Sequence, residues 1–156
     1  MAKKVLLAVD DSENAMRAVK YVSETFKDEC QFTLFSVLQE TNAICEMNSP
    51  SLTPLFIAQK DTFCVIENQK KILIQEAVDK AKQILLDAGI REENVTVKTV
   101  SGEQGVARSI VKEASSGYDT VVLGRRGLKG LKEFFLGSVS QKVLQTVDKV
   151  SILLVE

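Results

Sequence analysis

No histidine occurs anywhere in the 156 residues. Ser-His-Asp and Cys-His catalysis, imidazole acid–base chemistry and histidine-ligated zinc are thereby excluded. Any chemistry must come from carboxylates, lysines, backbone amides or a metal held by oxygen. Cysteine is scarce: Cys30, Cys45 and Cys64 are odd in number, far apart and in no Cys-x-x-Cys pair. They are read as buried or idle thiols in a reducing compartment, which predicts a cytoplasmic protein. No apolar run approaches the ~18 residues of a membrane span. The opening apolar run stops at Asp10-Asp11, too early for a signal peptide. Neither charge sign dominates, since 20 Lys and Arg face 21 Asp and Glu. No global basic field therefore argues for nucleic acid or a membrane surface.

What the chain does hold is a regular alternation. Short β-branched runs lie at residues 4–9, 31–38, 95–100, 120–123 and 150–155. Val5-Leu6-Leu7-Ala8-Val9 and Val121-Val122-Leu123 are apolar on both faces, as in strands covered on both sides. Helical patterns separate them. Ser12 opens one that carries Ala15, Ala18, Val19, Val22 and Phe26. A second is predicted over residues 62–88 with Ile66, Leu73, Ala77, Ala81 and Ile84, and Gly89 ends it. A third holds Val106, Ile110, Val111 and Ala114. A fourth follows Gly137-Ser138 with Val139, Val143, Leu144 and Val147.

Strands alternating with helices give right-handed crossovers. The fold class expected is α/β: a doubly wound, five-stranded parallel sheet with helices on both faces, a Rossmann-like or flavodoxin-like three-layer sandwich. The length suits a single domain over residues 1–156. Residues 40–60 fit least well; they hold both prolines, Pro50 and Pro54, and read as a long loop. Such sheets bind ligands beyond the carboxyl ends of their strands, where the strand order reverses. The ends of the first and fourth strands are the places to look.

Four of the eight glycines fall between positions 124 and 137. The segment starts where Val121-Val122-Leu123 ends, and Ser138 opens the next helix. Glycine lets a backbone turn sharply and present its amides to a ligand. A helix N-terminus then offers unpaired N–H groups and partial positive charge to a phosphate. Ser138 can donate its hydroxyl to the same phosphate, or cap the helix. Arg125, Arg126, Lys129 and Lys132 stand nearby against Glu133. An ordinary glycine-rich turn is the bland alternative, but strand, glycines, helix start and hydroxyl come in the order a phosphate site requires.

The spacing Gly124-x2-Gly127-x9-Gly137-Ser138 resembles the G-2x-G-9x-G-[ST] nucleotide signature of ATP-binding universal stress proteins. The resemblance covers essentially the whole chain. Lys3 to Ser12 looks like that family's opening strand and acidic turn, and Tyr118 to Gly124 like its central stretch. It implies that Gly124, Gly127, Gly137 and Ser138 surround the phosphates of ATP, ADP or AMP. It implies that Asp10 contacts the nucleoside, that Val37 holds adenine through main-chain atoms, and that Val139 lines the site. Mg2+ or Mn2+ bridging the phosphates is implied too, although no all-protein metal cage is visible. Arg126 stands where the family often has histidine, and the last strand lacks the proline that often precedes it.

The acidic pair Asp10-Asp11 is also found in phosphorelay receivers. A receiver needs a phosphoacceptor aspartate at the end of another central strand, and none is present. Val65, Ile66, Ile72 and Leu73 on the long helix are expected to pack on the sheet. Lys70, Lys71, Glu76, Asp79, Lys80 and Lys82 are read as its solvated face. The basic residues of the glycine loop have no interleaved aromatics for stacking nucleic-acid bases. No Walker lysine follows the glycines and no base is placed to activate water. The resemblance implies adenine-nucleotide binding in stress regulation, and these absences add little or no turnover and no catalytic residue. A slow ATPase or transferase, or an adaptor with a vestigial site, are the alternatives. The family resemblance further implies a homodimer through the strand at 150–155, which would cover an apolar sheet edge.

Overall fold

The computed structural model describes residues 1–26, 29–39, 42–48, 51–125 and 136–156. All five expected strands form, each within one residue of its predicted limits: β1 (Lys4–Ala8), β2 (Gln31–Leu38), β3 (Val95–Ser101), β4 (Thr120–Gly124) and β5 (Ser151–Val155). They make one parallel sheet in the order β3-β2-β1-β4-β5. The helices are α1 (Glu13–Thr25), α2 (Asn42–Cys45), α3 (Pro54–Asp87), α4 (Val106–Ala114) and α5 (Ser138–Thr146).

The alternation of each strand sorts its side chains onto two faces. Val5 and Leu7 of β1, Val9 just beyond it, and Phe32 and Leu34 of β2 pack with Ala18, Val19 and Val22 of α1 and Val78, Ala81 and Leu85 of α3. Leu6, Phe35, Val37, Val121 and Leu123 pack on the other face with Ala107, Ile110 and Ala114 of α4 and Val143 of α5. The result is the three-layer α/β arrangement expected of a sequence whose central strands are apolar on both faces. One buried carboxylate of α4, Glu113, carries a polar tie at the sheet edge: exposed Lys98 donates to it at 2.7 Å and the half-buried Tyr118 hydroxyl at 3.0 Å. Burial pushes the Tyr118 phenol up, and the hydrogen bond to Glu113 raises the Lys98 ammonium.

Helix limits follow local chemistry. The Ser12 hydroxyl accepts from the Ala15 amide at 3.2 Å and caps α1. Gly89, at φ +90, ends α3, where the Ile90 amide donates back to Leu85 and the Gly89 amide to Leu86.

The long helix begins eight residues before its predicted start, inside the stretch read as loop. The reason is Thr53, whose hydroxyl accepts from the Phe56 amide at 3.3 Å, and Pro54 in the first turn. Proline there is preorganised for a helix and loses no intrahelical bond, so Pro54 is a start signal rather than a loop marker. At 34 residues α3 is about 51 Å long, roughly twice the ~26 Å of the eight-residue β2. Running back from the carboxyl end of β2 towards β3, it can cover the sheet only with its second half. Ile74, Val78, Ala81 and Leu85 do so and are buried. The expected packing of Val65, Ile66, Ile72 and Leu73 on the sheet is not found: they are 49–59% exposed, beside or opposite that stripe.

The cysteine expectation is corrected as well. Cys45 at the end of α2 and Cys64 on α3 are joined by a disulfide, with Cα atoms 5.8 Å apart. They are 19 residues apart in sequence, and the early start of α3 is what puts Cys64 on a helix. Half-buried Cys30 stands outside this bridge.

Candidate functional site

The chain runs from β1 to β2 on one side, and from β3 back to β4 on the other side of β1. That reversal opens a crevice beyond the carboxyl ends of β1 and β4. A cavity of about 260 Å3 lies there, near the lower end of the ~300–1,000 Å3 usual for small-molecule sites.

Its floor comes from strand ends. Ala8 ends β1 and Val9 follows it, the Val9 amide donating to the Phe35 carbonyl at 2.8 Å. Asp10 comes next, and its Oδ1 accepts from the Ser12 amide at 2.9 Å, an Asx-type turn that fixes the carboxylate at the cavity wall. Val37 and Leu38 end β2. Gly102 lets β3 close against them: a β-carbon there would stand 2.5 Å from Val37 Cγ1, and the Gly102 amide donates to the Leu38 carbonyl at 2.7 Å.

A second wall is the end of β4 and the start of α5. Gly124, Gly137, Ser138, Val139 and Ser140 all line the cavity. Gly137 is the N-cap residue and contributes no side-chain cap, so the alternative in which Ser138 caps this helix is not the arrangement found. Ser138 is the first helical residue and is exposed, while buried Ser140 donates to the Gly124 carbonyl at 3.5 Å. The first-turn amides of α5 thus carry no side-chain acceptor, the electrostatic setting in which an anion binds.

Six of the seven expected site residues, Asp10, Val37, Gly124, Gly137, Ser138 and Val139, therefore meet around one cavity. The seventh, Gly127, lies outside the described residues, as do Arg126, Lys129, Lys132 and Glu133. Arg125 does not join the wall. Its guanidinium pairs with Glu156 at 3.3 Å and its amide donates to the Val155 carbonyl at 2.7 Å, tying it to the end of β5.

The cavity also has a wall that sequence reasoning did not include in the site. Glu67, Lys70, Lys71 and Ile74 of α3 line it; Lys70 stays exposed as expected, whereas half-buried Lys71 departs from the expected solvated face. The signal was the stripe itself. Glu67, Lys71, Ile74 and Val78 are spaced four, three and four apart and share one helix face. Its polar part lies over the cavity and its apolar part over the sheet.

Comparison with known proteins agrees with this architecture. The model of the universal stress protein family matches residues 1–155. Universal stress protein YxiE of Bacillus subtilis is 29% identical over 147 residues, spanning 93% of each chain. Universal stress protein MJ0577 of Methanocaldococcus jannaschii is 32% identical over 156 residues, spanning 96% of this chain and 92% of that protein. The solved MJ0577 structure has a TM-score of 0.66 at 27% identity, covering 99% of this chain and 96% of that one. A universal stress protein solved in complex with cAMP shares the fold at TM-score 0.61 and 20% identity, over 99% and 97% of the two chains. One from Archaeoglobus fulgidus in complex with dAMP does so at 0.59 and 15%, over 100% and 98%. The whole-chain family match, the order β3-β2-β1-β4-β5 and the crevice beside β1 agree: this chain belongs to the universal stress protein family.

Proposed function

We propose that the cavity beside β1 binds an adenine nucleotide and that the protein acts as a regulator in the stress response, with little or no turnover. The observation that carries this reading is the convergence of a carboxylate and an uncapped helix start on one cavity. Asp10 suits a ribose hydroxyl or an adenine amine, and Val37 offers main-chain atoms at the end of β2. Gly124, Gly137, Ser138 and Val139 sit where phosphates would meet the α5 amides. Relatives of the same fold hold cAMP and dAMP, which supports an adenylate as the ligand class.

Among the described residues no three carboxylate or thiol groups converge on a metal position. A divalent ion accompanying the nucleotide would be carried on the phosphate oxygens. No described helix is long and apolar enough to cross a membrane. The compartment is read as the cytoplasm from the sequence pattern alone; the Cys45–Cys64 bridge removes the free-thiol argument for it, since such bridges are rare there. Pairing of two copies along β5 completes the reading.

The test is calorimetric titration with AMP, ADP and ATP, alongside mass spectrometry of ligand released from freshly purified protein. An adenylate in the extract and submillimolar dissociation constants are expected. No binding of any of the three at millimolar concentration would overturn the assignment.

A further inference from the structure

The first half of α3 reaches past the carboxyl ends of the strands because the helix is about twice as long as β2. It arrives over the cavity on the α1 side of the sheet, whereas α5 borders the same cavity from the other side. Anything bound between them is approached by α3 and by the α5 amides from opposite faces.

The charges on these walls are uneven. Asp10, Asp11 and Glu67 bring three carboxylates to the described lining; Lys70 and Lys71 are its only cationic side chains. Both come from α3. Lys71 is half-buried, on the stripe that continues into buried Ile74, and Lys70 sits at the exposed rim. A polyphosphate entering this cavity adds more negative charge to a wall already rich in carboxylates. The α5 amides supply partial charge only, so full counter-charge within the described wall has to come from these two ammonium groups. Lysine suits that task, as a compact charge with three donors on a flexible stem that can follow a chain of phosphates.

We infer that Lys70 and Lys71 close on the phosphate chain of the nucleotide opposite α5, so that α3 makes affinity depend on how many phosphates the ligand carries. This rests on the nucleotide reading of the cavity. Glu67, one turn before Lys71 on the same wall, opposes the lysines and sets how steep that dependence is.

The experiment titrates adenosine, AMP and ATP at low salt into the intact protein, Lys70→Gln, Lys71→Gln, the double variant and Glu67→Gln. Circular dichroism checks that each remains folded. The double variant is expected to keep adenosine affinity, to lose a few-fold towards AMP, and to lose about tenfold or more towards ATP. Glu67→Gln is expected to tighten ATP more than AMP, and Lys71→Arg to retain most of the preference. If ATP and AMP weaken by the same factor, or neither weakens, the role of α3 is overturned while the nucleotide site stands. If the unmodified protein binds none of the three, both readings fall together.

Discussion

A β-carbon on Gly124 would stand 2.5 Å from the backbone carbonyl of Asn14. The end of β4 is thus in direct contact with the first turn of α1, next to the Asp10–Ser12 turn. Gly124→Ala can be accommodated only by moving backbone, because the obstacle is main chain on all three nearest atoms. The expected cost is about 1–3 kcal/mol of stability. Nucleotide affinity should fall as well, since the shift displaces the Asp10 turn. Urea unfolding together with AMP titration checks both; an unchanged midpoint would show that the contact relaxes freely.

Asp10→Ala should weaken AMP and ATP by similar factors, because the proposed partner of this carboxylate is the nucleoside. A lost charge-assisted hydrogen bond corresponds to about 1.5–3 kcal/mol. Titration of both ligands against the variant gives the answer. Unchanged affinities would leave Asp10 with only its bond to the Ser12 amide.

The α/β class, the five strands and the two-sided core were legible because Val5 to Val9 and Val121 to Leu123 are apolar without alternation, and only a sheet covered on both faces buries such runs. Most of the cavity was legible too, since Asp10, Gly124 and Gly137 stand at strand ends or helix starts that periodicity already marks. What stayed hidden depends on length and distance. Nothing local to Lys70 or Lys71 says that α3 overshoots the sheet, and that follows only from Thr53 and Pro54 starting the helix early. The Cys45–Cys64 bridge likewise needs α2 and α3 to be placed side by side. The apolar residues Val65 and Ile72 misled because apolarity alone cannot distinguish the stripe over the sheet from the opposite one.

Alkaline conditions should destabilise the protein through the cluster around Glu113. Lys98 and Tyr118 are both raised in the folded state, by the hydrogen bond to Glu113 and by burial respectively. Each holds its proton more tightly folded than unfolded. Their contribution is therefore complete below about pH 10, where both are protonated in either state, and is lost as pH rises through the raised values. Denaturation midpoints should hold from about pH 8 to about pH 10 and decline above it, and Glu113→Gln should flatten the decline. A midpoint that does not decline above about pH 10 would refute the linkage.

β5 occupies one edge of the sheet, with Ile152, Leu153 and Leu154 only partly covered. The unmodified protein should sediment as a dimer, and Ile152→Lys combined with Leu154→Lys should give a monomer. Both side chains also touch the α4–α5 core, so retention of the helical dichroism signal is part of the expected result. A single monomeric species of the unmodified chain at high micromolar concentration would end the proposal.

Lys4 in β1 is tied to Asp119, 115 residues later in the chain, at the start of β4. During synthesis at ~5–20 residues per second, that partner emerges roughly 6–23 s after its mate. In the interval β1, β2 and β3 can associate with α1 and α3 while the apolar edge of β1 waits unpaired, a vulnerable period in the life of a nascent chain. The wall bearing Asp10 and Val37 is made first and the wall bearing Gly137 and Ser138 almost last. A ligand bridging the two cannot template early folding; it can only reward a chain that has already been finished.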